Sequence, residues 1–232
     1  MIEDLLPPPI ASAEHFGDAP LSELFPEEAA LAAGMVDSRR RKFCTVRSCA
    51  RRALARIGIP PVPITRGPRG EPIWPDGVVG SMTHCHGFRA AAVARSGDVL
   101  GIGLDVEPNA PMRHVGMLQR ISLPEERLHL AELLSETPEI HWERLLFSAK
   151  ESIYKAWYPL TGETLGFTDA RVTFTPGANT FTVRLPPSRR YGPDARRTHL
   201  DGRWRAANGF LTTALTVRDP ATDHPTPVER AI

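Results

Sequence analysis

The sequence predicts an α+β fold, and three observations lead to that class. A helical pattern at about residues 26–57 precedes three short strand patterns, and a second helical pattern precedes a hairpin and a late strand. The turns between the strands are short enough for antiparallel pairing. Helix followed by antiparallel strands, twice over, indicates two similar halves. We expect them at residues 1–100 and 101–218, with a disordered Pro-rich tail at residues 219–232.

The first half opens with an expected irregular arm at residues 1–20 and a helix that starts at Pro26 and stops at Gly58. A break near Gly34 or Asp37 is compatible with this pattern. The apolar face of the helix is Val46, Ala50, Ala53, Leu54 and Ile57. Residues 59–76 are rich in Pro and Gly and predict a loop. The strands follow as VVGSMTH, AAAVAR and VLGIGLDVE, with turns at His86-Gly87 and Ser96-Gly97-Asp98.

The second half contains helical turns within residues 113–135 and the clearest helix of the sequence, Glu139–Tyr158. The residues expected to face the core are Trp142, Leu146, Ala149, Ile153 and Trp157. The residues expected on the opposite stripe are Arg144, Ser148, Glu151 and Lys155. RVTFTP and TFTVRLP then predict a hairpin about Gly177, and FLTTALTVR predicts a late strand.

Composition limits the function classes. The 232 residues are 41% hydrophobic and 24% charged, which is ordinary for a globular protein. No run of 18 apolar residues is present, so we expect no transmembrane helix, and the acidic N-terminal stretch lacks the basic region of a signal peptide. Three cysteines without CxxC spacing (Cys44, Cys49 and Cys85) indicate reduced thiols and a cytoplasmic protein.

Charge is distributed unevenly, although the net charge of +1 by itself excludes no partner. Between Arg39 and Arg56 lie seven arginines and one lysine with no acidic residue. Such a cluster on a helix attracts phosphates.

Lysine is rare in this chain, and "FSAKESIYKAW" holds two of its three lysines among 28 basic residues. A lysine ammonium is a compact point charge that can approach a crowded phosphate. Lys155, one turn after Glu151, can therefore serve chemistry, whereas a solvated i,i+4 pair is the simpler interpretation. Lys150 lies about 100° round the helix from Glu151, and it either pairs with an acid or caps a cleft.

Two carboxylates share one face of the strand GIGLDVEP. Side chains alternate along a strand, so Asp105 and Glu107 project to the same side. A few hard oxygen ligands with room for water and phosphates suit Mg²⁺. If Glu151 joins them, the three would hold a metal bound to a diphosphate. An exposed strand end with two solvated acids is the alternative.

Two further motifs carry polar groups. "SMTHCHG" suggests zinc through His84, Cys85 and His86, but no distant ligand pair completes a tetrahedral set; His84 beside Thr83 is better suited to bind a phosphate or ribose. "TRGPRGEP" offers two arginines among glycines, where the backbone can approach an anion, although it is not a P-loop. A merely solvated loop explains the second motif equally well.

Taken in order, these motifs resemble the 4'-phosphopantetheinyl transferases of the Sfp type, closest to the actinobacterial PptT-like branch. The resemblance runs from about Arg39 to Phe174 and rests on the basic helix, GEPIWP, GSMTHCHG, GIGLDVEP, FSAKESIYKAW and LGF. The family's WxxKExxxKA signature begins here with Phe147 in place of tryptophan, which we interpret as a packing variation. The stretch WRAANGFLTTAL resembles the family's closing strand.

The resemblance implies a pseudo-dimer of two similar α+β subdomains with coenzyme A in the cleft between them. It implies transfer of the 4'-phosphopantetheine arm to a serine of apo acyl or peptidyl carrier proteins of fatty acid, polyketide or non-ribosomal peptide synthesis. The other product would be adenosine 3',5'-bisphosphate. Mg²⁺ would be required, and the enzyme would be a monomer with no nucleic acid or membrane partner.

The resemblance also implies roles for individual residues. Asp105, Glu107 and Glu151 would be the metal ligands, with Glu151 also the base and Lys155 the cation that neutralises the transferring phosphate. The residues that would hold coenzyme A are Arg39, Arg47, Arg66, Arg69, Thr83, His84, Asp105 and Lys155.

Two other functions remain compatible with the motifs. A Mg²⁺-dependent nucleotide diphosphate hydrolase would use the same carboxylates on water, whereas a silent carrier-binding module would have no chemical reason to keep them. For carrier docking, the segment NAPMRHVGMLQRI combines positive charge with apolar side chains. The residues concerned are Met112, Arg113, Met117, Leu118, Arg120 and Ile121. Packing of a short helix onto the body explains the same segment equally well.

Overall fold

The computed structural model describes residues 1–19, 24–114, 116–187, 189 and 198–219. Its α-helices are α1 (Pro26–Ala32), α2 (Asp37–Arg56), α3 (Met117–Ile121), α4 (Pro124–Glu136) and α5 (Trp142–Thr161). Its strands are β1 (Ala11–Phe16), β2 (Thr65–Arg66), β3 (Pro72–Ile73), β4 (Val78–Cys85), β5 (Phe88–Arg95), β6 (Gly101–Pro108), β7 (Arg171–Thr175), β8 (Thr180–Arg184), β9 (His199–Ala207) and β10 (Phe210–Val217).

The strands form two larger antiparallel sheets and one small hairpin. The first sheet has the order β1-β5-β4, the second has the order β6-β10-β9-β8-β7, and β2 pairs only with β3. Helices and antiparallel sheets occur in both parts of the chain, so the predicted mixture of helix and antiparallel sheet is confirmed.

The first sheet is covered on both faces. Residues of β5 alternate, so that Ala91 and Val93 pack against α2 through Ala50 and Leu54. The other face of β5 (Ala90, Ala92 and Ala94) packs against Ile102, Leu104 and Val106 of β6. This double burial explains why β5 reads as a nearly continuous apolar run.

The second sheet packs against α5, and here the predicted core of the helix is confirmed. The five residues expected to face the core are at most 2% exposed: Trp142, Leu146, Ala149, Ile153 and Trp157. The expected opposite stripe is not a solvent face. Ser148 is fully buried and exchanges a hydrogen bond of 2.9 Å with the hydroxyl of Thr213 on β10.

Three expectations about local structure were wrong. Residues 1–20 were expected to be irregular, but β1 lies within them and pairs with β5, which buries Ala13. The loop at 59–76 contains the β2–β3 hairpin. Strand β9 was not predicted, although its residues alternate between exposed and buried along the sheet.

Other expectations hold. The chain breaks between α1 and α2 near Gly34, and the β7–β8 hairpin turns about Gly177. The proposed tail lies outside the described residues from position 220 onward. No helix in the described part of the chain combines the length and apolar character that spanning a bilayer requires.

Candidate active site

The site begins with an unusually close approach of helix α5 to strand β6. A Cβ atom added to Gly103 would lie 1.8 Å from the backbone oxygen of Ser152, so no larger residue fits without moving the helix. Gly101 is less crowded, with the nearest α5 atom at 3.4 Å. The glycine at 103 thus lets α5 bring Glu151 and Lys155 to the strand that carries the acids.

Asp105 is the buried centre of this contact, with 5% of its surface exposed. Its Oδ1 accepts hydrogen bonds from Lys155 Nζ at 2.7 Å and from Thr83 Oγ1 at 3.1 Å. Its Oδ2 is buried and has no hydrogen-bond partner among the described residues. A buried carboxylate oxygen without a partner is costly in the protein alone and is available to a cation.

Thr83 lies where it orients Asp105 rather than where it would hold a nucleotide. It is buried, and its hydroxyl also accepts a hydrogen bond from the backbone N–H of Val106 at 3.2 Å. Ser81 accepts in the same way from the N–H of Leu104 at 3.1 Å. These two hydroxyls thus connect β4, at the edge of the first sheet, to β6 through side-chain hydrogen bonds instead of backbone pairing.

Glu107 is half-buried and its Oε2 accepts a hydrogen bond from Arg144 Nη1 at 3.0 Å. Arg144 also donates to the carbonyls of Ala110 and Pro111, so it ties the segment after β6 to α5. Burial and the charge of Asp105 raise the pKa of Glu107, against the opposing effect of Arg144. Arg144 was placed on the right helical stripe by its spacing, but its role toward Glu107 was not anticipated.

Glu151 is half-buried and lies on the cleft side of α5. Burial raises its pKa, the charge of Lys155 opposes this rise, and the charge of Asp105 adds to it. A raised pKa makes a carboxylate a better proton acceptor. Lys155 donates two of its three N–H groups, one to the carboxylate of Asp105 and one to the carbonyl of Leu104. The third N–H is left for a ligand.

The positions of these acids determine what kind of divalent-cation site they can form. Among the described residues, no three His, Cys, Asp or Glu side chains lie close enough together to form a metal-binding group. The side chains of Asp105 and Glu107 are turned toward Lys155 and Arg144. Mg²⁺, however, typically uses one or two carboxylates together with waters and substrate phosphates. The free Oδ2 of Asp105 and the raised pKa of both glutamates fit such a site, because each would be relieved by a cation.

A cleft of about 640 Å³ opens beside the acids, between the α2 side of the molecule and helix α5. Five of the residues predicted to hold the nucleotide line it: Arg39, Arg47, Arg66, Arg69 and His84. Glu151 and Lys155 line it from the α5 side, whereas Thr83, Asp105 and Glu107 do not line it. The cleft therefore presents cations along one side and the predicted base on the other.

Arg47 differs from the other arginines because it is only 2% exposed. Its guanidinium lies 3.3 Å from the centroid of the Phe43 ring, and the guanidinium of Arg66 lies 5.3 Å from the same centroid. Burial lowers the pKa of Arg47 to about 10, against the attraction of Glu28, which raises it. The side chain therefore remains a cation at neutral pH.

His84 lies at the cleft and is exposed at its surface. Partial loss of water inside the cleft lowers the pKa of His84, and the charge of Lys155 lowers it further. A neutral imidazole can donate one hydrogen bond to a phosphate oxygen without adding charge.

Lys150 pairs with an acid, which settles the alternatives that the sequence left open. Its ammonium donates to Glu126 Oε2 at 2.7 Å and to the carbonyls of Phe167 at 2.6 Å and Ala170 at 3.1 Å. Glu126 also accepts from the backbone N–H of Val172. The loop that follows α5 is thus held against α4 and β7, and it forms one wall of a second cavity of about 300 Å³ beside Glu151.

Several residues that line the cleft were not predicted from the sequence. Lys42, Phe43, Tyr154 and Tyr158 line the cleft, and the two tyrosine rings stack at 5.9 Å with an interplanar angle of 14°. The rarity of lysine was a usable signal for Lys42. The tyrosines follow Glu151 and Lys155 by three residues each, which is helical spacing that could have placed them on the same side.

The segment considered for docking divides between its two interpretations. Ile121 is 1% exposed, so it is not available to a partner. Leu118 is half-buried against the core of the second half. Arg113 and Arg120 are exposed, and Met112 and Met117 are half-buried.

The fold and site define a class of protein in which a cleft is lined by arginines on one side and by Glu151 and Lys155 on the other, beside the buried carboxylate of Asp105. The comparisons with known proteins name the family. Residues 27–94 match the model of the 4'-phosphopantetheinyl transferase N-terminal domain, and residues 101–207 match that of the 4'-phosphopantetheinyl transferase superfamily. The chain belongs to this superfamily and is a 4'-phosphopantetheinyl transferase.

Three relatives are similar over nearly the whole chain. The 4'-phosphopantetheinyl transferase Svp of Streptomyces mobaraensis is 52% identical over 95% of this chain and 91% of its own length. Npt of Nocardia iowensis is 46% identical over 93% and 99%, respectively. PptT of Mycobacterium tuberculosis is 44% identical over 90% and 92%. The resemblance to the actinobacterial PptT-like branch is thereby confirmed, and transfer is favoured over hydrolysis and over silent binding.

Proposed function

We propose that the enzyme binds coenzyme A in the 640 Å³ cleft and moves its 4'-phosphopantetheine arm to a serine of an apo acyl or peptidyl carrier protein. The serine oxygen forms a bond to the phosphorus that bears the pantetheine, and the bond from that phosphorus to the bridging oxygen breaks. Adenosine 3',5'-bisphosphate leaves with that bridging oxygen. The observation that carries this proposal is that arginines, which can bind the phosphates of a nucleotide, line one wall of the cleft, whereas Glu151 and Lys155 line the other.

Binding of the nucleotide is assigned to the α2 side of the cleft. Arg39, Arg66 and Arg69 are exposed, so their side chains can reorient toward several phosphate oxygens. Arg47 is buried, so its guanidinium presents its N–H groups in one fixed orientation. Phosphates attract arginine because its planar fork donates two parallel hydrogen bonds. The lowered pKa of His84 suits a neutral donor beside these cations.

Proton removal is assigned to Glu151. A serine hydroxyl is a weak nucleophile, so a carboxylate must accept its proton during attack. The raised pKa of Glu151 favours this acceptance, and the remaining N–H of Lys155 can donate to an oxygen of the transferring phosphate. Positioning and charge stabilisation are the main requirements of phosphoryl transfer.

A bound Mg²⁺ would be held by one or two of the acids Asp105, Glu107 and Glu151 together with waters and the diphosphate, whose negative charge it would spread. The support is the unpartnered Oδ2 of Asp105 and the raised pKa of the two glutamates. Asp105→Ala should abolish transfer at ordinary Mg²⁺ concentrations, and Glu107→Ala should weaken it less if water replaces that ligand. Binding of Mn²⁺ in the presence of coenzyme A, followed by electron paramagnetic resonance, gives a readout besides activity. Unchanged Mn²⁺ affinity in Asp105→Ala would contradict the metal assignment.

The organisation of the molecule is also proposed. We infer two similar α+β subdomains, residues 1–100 and 101–218, arranged as a pseudo-dimer in a monomeric enzyme. The support is that a long helix packs on an antiparallel sheet in each part, α2 on one and α5 on the other. The free thiols of the three cysteines support a reducing compartment such as the cytoplasm.

Mass spectrometry of apo carrier proteins incubated with coenzyme A and Mg²⁺ tests the reaction directly. We expect acyl and peptidyl carriers to gain the mass of one phosphopantetheine arm, and a carrier with alanine in place of the acceptor serine to gain nothing. Consumption of coenzyme A without any gain in carrier mass would support hydrolysis instead. Carrier binding without either change would support a silent module.

A further inference from the structure

Glu28 is an acid buried at the back of the cleft, with no exposed surface. Its Oε1 accepts hydrogen bonds from Arg51 Nη1 and from the backbone N–H of Ile64, both at 2.9 Å. Its Oε2 accepts from Arg51 Nη1 at 3.0 Å and from the N–H of Phe25 at 3.2 Å. Glu28 itself does not line the cleft, so any effect on the reaction acts through its neighbours.

The neighbour that does line the cleft is Arg47. Its Nε lies 3.6 Å from Glu28 Oε1 and donates to the carbonyl of Ile64 at 2.9 Å. Its Nη1 lies 3.5 Å from the carbonyl of Phe43, and the Phe43 ring covers one face of the guanidinium. Its Nη2 is buried and has no partner among the described residues. Glu28 and Ile64 thus fix the Nε edge, and the remaining N–H groups of Nη2 are left for an anion.

The charges around Glu28 do not balance. One carboxylate serves the buried guanidinium of Arg47 and the half-buried guanidinium of Arg51, and the nearby Arg66 adds a repulsive charge. Removing the carboxylate would leave these cations facing one another, so Arg47 would be pushed away from its present position. A surplus buried cation with a free N–H can form a charge-assisted hydrogen bond to a phosphate oxygen.

We propose that Glu28 is a positioning residue for coenzyme A: it holds Arg47 so that Nη2 meets a phosphate of the nucleotide. The proposal rests on the proposed function, because it takes the cleft to be the coenzyme A site. It adds a residue that does not line the cleft and that lies outside the sequence motifs on which the resemblance rests.

Glu28→Gln tests the proposal, because glutamine keeps the size and one acceptor oxygen but loses the charge. Loss of a charge-assisted contact to a phosphate corresponds to a rise in KM for coenzyme A of about tenfold or more. We expect kcat and the KM for the carrier protein to stay within about twofold of their original values. In an Arg47→Met background, Glu28→Gln should raise the KM no further, because the residue through which it acts is gone.

A matched control is Asp18→Asn. Asp18 forms an ion pair with Arg89, which is as buried as Arg47 but does not line the cleft. This control should lower stability without changing the KM for coenzyme A. An equal rise in the KM for coenzyme A in Asp18→Asn would show that general destabilisation of the first half of the chain, and not the positioning of Arg47, changes this KM.

A second variant covers the case in which Glu28→Gln does not fold. Glu28→Gln with Arg51→Met removes one charge of each sign, so the net buried charge is unchanged and folding is better tolerated. This variant should still raise the KM for coenzyme A. With the natural enzyme active, an unchanged KM in either folded variant overturns the inference alone, whereas a natural enzyme that modifies no carrier overturns the proposed function.

A comparison with 3'-dephospho-coenzyme A shows which phosphate is involved. If Arg47 meets the 3'-phosphate, Glu28→Gln should raise the KM for coenzyme A but not for the dephospho form. If Arg47 meets the diphosphate, the KM should rise for both.

Discussion

Replacing Lys150 by methionine should destabilise the protein strongly, because this lysine neutralises an acid inside the core. Lys150 and Glu126 have side-chain exposures of 2% and 1% and are 2.7 Å apart. In Lys150→Met, Glu126 would keep its backbone donors but lose its counter-charge, and the carbonyls of Phe167 and Ala170 would lose their donor. Removing one partner of such a pair typically costs about 3–5 kcal/mol in the free energy of unfolding.

Urea denaturation, followed by intrinsic fluorescence, measures this cost. Lys42→Met is a suitable control, because Lys42 forms no ion pair with any described residue and should change the free energy of unfolding by less than about 0.5 kcal/mol. In Lys150→Met with Glu126→Gln both charges are gone, so we expect the double variant to be more stable than the sum of the single effects predicts.

A cost below about 1 kcal/mol for Lys150→Met would refute the reasoning. It would mean that the loop after α5 is held by its apolar contacts, such as the tilted contact of the Phe147 and Phe167 rings with centroids 5.8 Å apart, rather than by the buried ion pair. Additive effects of the two substitutions would argue the same way, since a coupled pair must show non-additivity.

Four further predictions concern catalysis, docking and thiol chemistry. Glu151→Gln should lower kcat by about 10² or more while coenzyme A still binds in calorimetry, because the amide cannot accept the serine proton. Lys155→Arg should recover only part of the activity lost in Lys155→Ala, since a planar fork does not replace a point charge; full recovery in a turnover assay would contradict this. Arg113→Glu with Arg120→Glu should raise the KM for an acidic carrier protein and leave coenzyme A affinity and thermal stability nearly unchanged; normal carrier kinetics would place docking elsewhere. Burial, with smaller contributions from nearby acids, raises the pKa of Cys85 to about 12. Iodoacetamide should therefore label Cys85 slowly in the native protein at pH 8 and rapidly in urea, as measured by peptide mass spectrometry. Fast labelling of the native protein would show that the surroundings of Cys85 open.

Much of the fold could be predicted from the sequence, because the spacing of apolar residues along the chain agrees with which side chains are buried in the structure. The spacing of apolar residues on α5 marked its core face correctly, since a helix presents positions three and four apart to the same neighbour. The strand GIGLDVEP was predicted with both acids on one face. The structure adds the reason for its second glycine, which lets the helix that carries Glu151 lie directly on the strand.

Some strands could not be predicted because they form only through contacts with segments that are distant in the sequence. Strand β1 is composed of ASAEHF, a sequence with little strand preference, and it forms because β5 offers a free edge. Strand β9 does alternate, but its buried positions include Gly202, where the ring of Phe181 fills the space of a side chain. A glycine in an inward position weakens the hydrophobic alternation on which strand prediction depends.

The candidate site shows the same division between what residue types determine and what only packing decides. The sequence by itself determined which chemical groups are present: the two acids of one strand, Glu151 with Lys155 one helical turn later, and the arginine-rich helix. The tertiary structure decided which partner each group has: Thr83 orients Asp105, Arg144 binds Glu107, and Lys150 pairs with Glu126. The physical reason is that charge and hydrogen-bonding capacity belong to a residue, whereas distance and burial arise only when segments far apart in the chain pack together.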